Sequence, residues 1–168
     1  LVLEVRDARI PLASGNISLE KALNQKPRLI VFNKANLAEK ANIKLWRNWF
    51  AERDDRILFL DAFDARSLKM LSKMARAVMQ QKWQKFIKKG IQPPPLRMML
   101  LGIPNTGKST IINRLTKRKA AGTGDRPGVT RSQEWIVLGR DLELLDTPGI
   151  MPPRIDTEEQ GLWLCAIH

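Results

Sequence analysis

Gly102-Ile103-Pro104-Asn105-Thr106-Gly107-Lys108-Ser109-Thr110 fits the pattern G-x-x-x-x-G-K-[ST], and its flanks give the pattern meaning. The apolar run Leu96–Leu101 before it reads as a buried strand. Ile111-Ile112-Asn113-Arg114-Leu115 after it suits the first turns of a helix. Strand, glycine loop and helix in that order predict a phosphate-binding loop. Gly102 and Gly107 let the backbone curl so that successive N–H groups point inward around phosphate oxygens. The helix behind adds its positive N-terminal end. Lys108 supplies a point charge at the β- and γ-phosphates, and the Ser109 hydroxyl is a ligand for Mg²⁺. Nucleoside triphosphate binding follows from these residues alone.

The totals agree. At 168 residues, 43% of them hydrophobic, the chain is long enough for one domain with a substantial core. No apolar run approaches the ~20 residues needed to span a bilayer, so no membrane partner is expected. Leu1-Val2-Leu3-Glu4-Val5 is too short, and lacks the basic leader, for a signal peptide. A single cysteine, Cys165, excludes an internal disulfide and fits a reducing compartment, so a cytoplasmic location is expected. Twenty-nine Lys and Arg against seventeen Asp and Glu leave a formal charge of +12, which points to a polyanionic partner, nucleic acid first. The chain opens without Met inside a strand and stops at His168 within a helical pattern, so it reads as a fragment.

Outward from the loop, strands and helices alternate. Strands are expected at Leu1–Val5, Leu29–Phe32, Ile57–Leu60, Glu134–Leu138 and Leu142–Leu145. Helices are expected at about 18–24, 39–53, 67–89 and from Thr157 onward. Ile43, Trp46, Trp49 and Phe50 form an apolar helix face, so the tryptophans are read as core and not as base-stacking platforms. Pro93-Pro94-Pro95 makes a stiff connector, and the Gly-, Arg- and Thr-rich stretch 118–132 has no apolar period and reads as a mobile loop. The alternation predicts an α/β fold: a mostly parallel sheet with helices on both faces. Ligands bind such sheets outside the carboxyl ends of the strands, where every polar motif of this chain falls.

Asn33-Lys34-Ala35-Asn36 chooses the base, because it nearly matches the N-K-x-D of GTPases. In that motif the aspartate accepts from guanine, the lysine packs along the base and the asparagine braces the neighbouring loop. Asp61-Ala62 falls where such proteins use a backbone N–H to hold the guanine O6. Asp146-Thr147-Pro148-Gly149 matches D-x-x-G, whose carboxylate steadies Mg²⁺ through water and whose glycine N–H senses the γ-phosphate. Thr130 is the natural second hydroxyl for the metal, from a loop ordered only by the triphosphate. The base motif precedes the phosphate loop, the reverse of most GTPases. The fold expected is therefore a circularly permuted P-loop GTPase, a rearrangement tolerated where the exchanged ends meet at the surface.

With Asp7-Ala8-Arg9-Ile10-Pro11, Gly-Ile-Pro-Asn at 102–105, Thr123-Gly124-Asp125-Arg126-Pro127-Gly128 and Asp146-Thr147-Pro148-Gly149-Ile150, this order of motifs closely resembles the ribosome biogenesis GTPase A (YlqF) family over nearly the whole chain. The resemblance implies a GTPase switch that helps mature the large ribosomal subunit and binds rRNA through basic surfaces. Residues 1–168 would then be one permuted GTPase domain, expected to be a monomer, without the further C-terminal helical domain that members carry. By resemblance Pro104, Asn105, Thr106, Gly107, Lys108, Ser109 and Thr110 hold phosphates and Mg²⁺. Asn33, Lys34 and Asn36, with Asp61 and Ala62, hold the base of GTP or GDP. Ser109, Thr130 and Asp146 serve the metal, and Gly149 the γ-phosphate side. Lys108, Thr130, Gly149 and Asn105 are the catalytic set.

Three positions depart from, or extend, the common pattern. Asn36 replaces the family's aspartate, and its amide turns a donor toward guanine's donors, which predicts weakened guanine preference. Ile150 stands where Ras-like proteins place a water-orienting glutamine, so slow intrinsic turnover, stimulated by the ribosome, is expected. Asn105, within G-x-P-N-x-G-K-[ST], is similar to the asparagine that helps hold K⁺ in K⁺-stimulated GTPases. Two rival readings stand beside this one: an RNA-binding module with negligible turnover, and a small-molecule P-loop kinase. The kinase would require both base motif and D-x-x-G to be accidental.

Overall fold

The computed structural model describes residues 1–16, 23, 26–53, 56–117, 134–138, 141–147 and 157–166, without the side chains of Glu134, Asp146 and Ala166. The expected short helix at 18–24 therefore lies outside the described residues, apart from Leu23. So do the loop 118–132 and the Gly139-Arg140 connection.

Six strands form one sheet: β1 (Val2–Asp7), β2 (Arg28–Asn33), β3 (Ile57–Phe59), β4 (Leu96–Leu101), β5 (Glu134–Leu138) and β6 (Leu142–Asp146), in the spatial order β3-β2-β1-β4-β6-β5. All neighbours are parallel except β5, which runs antiparallel to β6 at the edge. Sequence neighbours such as β1 and β2 stand side by side, while β1 also pairs with β4, so the base motif after β2 and the phosphate loop after β4 are separated by β1 alone.

Helices α1 (Lys40–Ala51), α2 (Ala65–Ile87), α3 (Lys108–Thr116) and α4 (Glu158–Ala166) complete the fold. Alternation along β2 decides which helix lies where, since successive strand side chains point to opposite faces. Leu29 and Val31 join Leu71 and Ala75 of α2 and Ile111 and Ile112 of α3 in one core; Ile30 and Phe32 join Phe50 of α1 in the other. Trp46 and Trp49 pack against this second core, Trp49 edge-on to Phe50 at 4.6 Å, so both are structural. On α4, Leu164 is buried with Ile10 and Ile103.

Two boundaries differ from expectation. β1 extends past Val5 because Glu4 and Arg6, charged and buried, satisfy each other: Arg6 Nε donates to Glu4 Oε1 at 2.7 Å, and Arg28 closes on the second oxygen at 3.4 Å. Helix α2 begins at Ala65 instead of Ser67, since the Asp64 carboxylate accepts from the main-chain N–H groups of Arg66 and Ser67. Helix α4 starts as expected, with Thr157 Oγ1 accepting from Gln160 N–H at 3.1 Å.

Candidate nucleotide-binding site

Three strand ends meet at one edge of the sheet. β4 runs into the glycine loop 102–107 and then α3, β2 ends at Asn33, and β1 ends at Asp7, which lies opposite Asn33 in register. The loop is built for close approach. Gly102 has φ 150°, and a Cβ there would stand 2.2 Å from the main-chain oxygen of Val5. Gly107 has φ 90°, and its Cβ would fall 2.3 Å from Asn33 Nδ2. Asn105 takes the left-handed conformation at φ 60°, which asparagine tolerates better than most residues. Thr106 is fully buried and its hydroxyl donates to the Ile103 carbonyl at 3.0 Å.

Lys108 is buried, and its ammonium donates to the carbonyls of Gly102 at 3.1 Å and Ile103 at 2.8 Å. The charge is thus held across the concavity of the loop. Ser109 and Thr110 occupy the next two positions of α3, at the helix end that favours anions. This donor set fits a nucleotide phosphate chain with Mg²⁺: curled backbone, one fixed ammonium and a hydroxyl at a helix start.

Asn33 joins the two motifs. Its Nδ2 donates to the main-chain carbonyl of Thr106 at 2.9 Å, while its Oδ1 accepts from the Ala62 N–H at 3.2 Å. The brace expected of this asparagine therefore spans 73 residues of sequence through one bond and 29 through the other. It also occupies the Ala62 amide, the backbone donor expected at a guanine O6. The next amide, Phe63 N–H, is donated to Asp61 Oδ1 at 2.8 Å. Lys34 holds a left-handed backbone, φ 60°, and its Nζ lies 3.1 Å from Asp7 Oδ2. Asn36 is exposed in the short 3-10 turn Ala35–Leu37, beside the same edge.

Sequence reasoning missed Asp7 and Arg9 as parts of this site; it quoted them only for a resemblance. The Asp7 carboxylate is fully buried and takes Arg9 in a two-pronged grip, Nε to Oδ1 at 3.0 Å and Nη2 to Oδ2 at 2.8 Å, in addition to Lys34. Burial alone would raise its pKa, but the hydrogen bonds from Arg9 and the Lys34 charge hold it below the usual carboxylate value. An acid at a strand end followed two residues later by Arg was the available signal. Thr147, within D-x-x-G, is likewise buried, and its hydroxyl donates to the Leu100 carbonyl, tying β6's end to β4. Thr130, Gly149, Ile150 and the Asp146 side chain lie outside the described residues. Among those described, no cluster of three or more His, Cys, Asp or Glu could hold a metal ion, and no helix is long and apolar enough to cross a membrane.

Residues 97–164 match the family model described as 50S ribosome-binding GTPase. The chain is 41% identical over 98% of its length to ribosome biogenesis GTPase A of Bacillus pumilus and covers 58% of that protein. It is 33% identical over 97% of its length to mitochondrial ribosome-associated GTPase 1 of Mus musculus, covering 52% of it. Among solved structures it resembles GDP-bound TM YlqF, with 29% identity, 97% of this chain and 59% of that one covered, and a TM-score of 0.66. GNP-bound YlqF from T. maritima gives 28% identity, 95% and 56% coverage, and a TM-score of 0.65. The chain thus spans little more than half the length of the proteins it matches.

Proposed function

We propose that the chain, similar to ribosome biogenesis GTPase A proteins, carries a circularly permuted P-loop GTPase domain, binds GTP, hydrolyses it to GDP and phosphate, and acts as a switch in assembly of the large ribosomal subunit, in contact with rRNA. The observation that carries the reading is the Asn33 side chain, which reaches from the base motif to the phosphate loop and so supports their serving one ligand.

In this reading the amides of the loop and Lys108 cradle the β- and γ-phosphates. Ser109 would hold Mg²⁺, which when bound neutralises charge on the phosphate oxygens. Thr130 and Asp146 are assigned to the same ion, and Gly149 to the γ-phosphate. The alkyl stem of Lys34, its ammonium anchored on Asp7, lies along the base, with Asn36 at its Watson–Crick edge and the 61–62 turn beside it. Asn105 is assigned a K⁺ near the β- and γ-phosphates. The γ-phosphate orders the segments around Thr130 and after Gly149, and that state favours docking on the immature subunit. The names of the relatives and the basic charge support the partner; a cytoplasmic monomer is proposed with it.

Single-turnover hydrolysis of bound GTP with and without large ribosomal subunits tests this. Acceleration by subunits is expected. Failure to retain any guanine nucleotide would overturn it.

A further inference from the structure

Helix α2 and the turn closing it carry Arg66, Lys69, Lys73, Arg76, Lys82, Lys85, Lys88 and Lys89, all exposed, and the sequence holds no acidic residue from 65 to 90. Cations near a helix C-terminus are favoured by the helix dipole, which accounts for Lys85, Lys88 and Lys89. The same dipole disfavours Arg66 and Lys69, which sit in the first turn and a half. Arg66, Lys69, Lys73 and Arg76 follow one another at i+3 and i+4, so their side chains are neighbours on one face. Like charges at that spacing destabilise a helix. The helix's other face is fully used, with Leu71 and Ala75 buried in the core and Leu68, Met74, Met79 and Trp83 packed against it. Neither packing nor helix stability therefore explains Arg66, Lys69 and Lys73 side by side on one face, whereas a polyanion laid along that face does.

We propose that the exposed face of α2 is a phosphate-backbone track for duplex RNA. At 1.5 Å per residue Arg66, Lys69, Lys73 and Arg76 cover roughly 15 Å of the helix, and they stand about 5–6 Å apart on one face, a spacing suited to successive backbone phosphates. Contacts of this kind read charge and shape without sequence. The face begins next to the nucleotide site: Asp64 caps the helix two residues beyond Ala62, and Arg114 of α3 lies over the Phe63 ring at 4.6 Å. At Arg76 the track borders the β5–β6 hairpin, through an ion pair with Asp141 at 2.6 Å. This inference rests on the proposed ribosomal role and names the surface that serves it.

The test measures binding of the 168-residue chain to an RNA duplex of about 16 base pairs across a salt series. The double variant Lys69→Gln, Lys73→Gln is compared with Lys40→Gln, Lys44→Gln on α1, which removes the same charge elsewhere. The α2 variant is expected to bind roughly tenfold more weakly, with the slope of log affinity against log salt reduced by about 2, one for each lost phosphate contact, while GDP affinity stays unchanged and the melting temperature holds or rises slightly. Equal losses from the two variants, an unchanged affinity of the α2 variant, or tighter binding to an acidic peptide than to RNA would overturn the track. Absence of RNA binding by the unaltered chain would instead sink the ribosomal reading itself.

Discussion

Asn33 Nδ2 lies 2.9 Å from the carbonyl oxygen of Thr106, and this one buried bond holds the base motif against the phosphate loop. The backbone of Gly107, next in the chain, has room for the same amide only because it has no Cβ. The geometry of the site is therefore a property of the pair of motifs and of neither alone.

Asn33→Ala removes a donor and an acceptor at once and leaves the Thr106 carbonyl and the Ala62 N–H without this partner. Each buried group left unsatisfied costs about 1–3 kcal/mol. A lowered melting temperature and GDP affinity weakened by tenfold or more are expected, by calorimetry and by fluorescent-nucleotide titration. Asn33→Asp keeps the acceptor and loses the donor, so it should fall between.

The two glycines should fail differently. At Gly102 an added Cβ meets main-chain oxygen, which cannot move without β1, so Gly102→Ala is expected to lower global stability. At Gly107 it meets the end of a side chain, and strain of the positive φ adds about 1–3 kcal/mol. Gly107→Ala should remain folded while nucleotide binding collapses. Circular dichroism melts run beside nucleotide titrations distinguish the two outcomes.

Asp7 has a depressed folded pKa, so its ion pairs stabilise the fold at pH above the unfolded value of 3.8, and that stability is lost as pH falls through the lower folded value. Asp7→Asn should cost about 1.5–3 kcal/mol at neutral pH, the range for hydrogen bonds to charged groups. The difference from the unaltered chain should shrink below about pH 4. Urea unfolding at several pH values reads this directly. A loss that is constant with pH would show that the carboxylate charge is irrelevant.

Asn36→Asp restores a charged acceptor at the base edge. Gain of such a bond is worth about 1.5–3 kcal/mol, so GDP should bind roughly ten- to a hundredfold more tightly. The unaltered chain, by contrast, should discriminate poorly between GDP and XDP. A strict GDP preference before the change would refute the role given to Asn36.

Turnover should be faster in K⁺ than in Na⁺ buffers. Asn105→Gly keeps the left-handed backbone that φ 60° requires and removes only the amide. It is expected to abolish the difference between the two cations while leaving GDP affinity nearly unchanged. Equal rates in both salts for the unaltered chain would count against the assignment.

The alternation of apolar strands with amphipathic helices was legible because each element's period is local, and the phosphate loop because its chemistry is contained in nine consecutive residues. Less visible was Asp7. A charged strand end has no local signature of function, and its partner Lys34 lies just past the end of the neighbouring strand. The same reason hid the extension of β1 through Glu4 and Arg6, whose burial is tolerable only because the two pair and Arg28 reaches across from β2. Helix α2 starts two residues before the expected position because the Asp64 cap, and not the apolar period that begins later, fixes its first turn.

The sequence by itself determined the fold class, the order of the motifs and the chemistry each could perform, since these depend on residue type and short-range spacing. Only the tertiary structure decided that Asn33 closes on Thr106 and Ala62, that Asp7 anchors Lys34, and that the cations of α2 all face outward. Those relations depend on which strands become neighbours in the sheet, and pairing across dozens of residues is fixed by burial of the whole core rather than by any one stretch of chain.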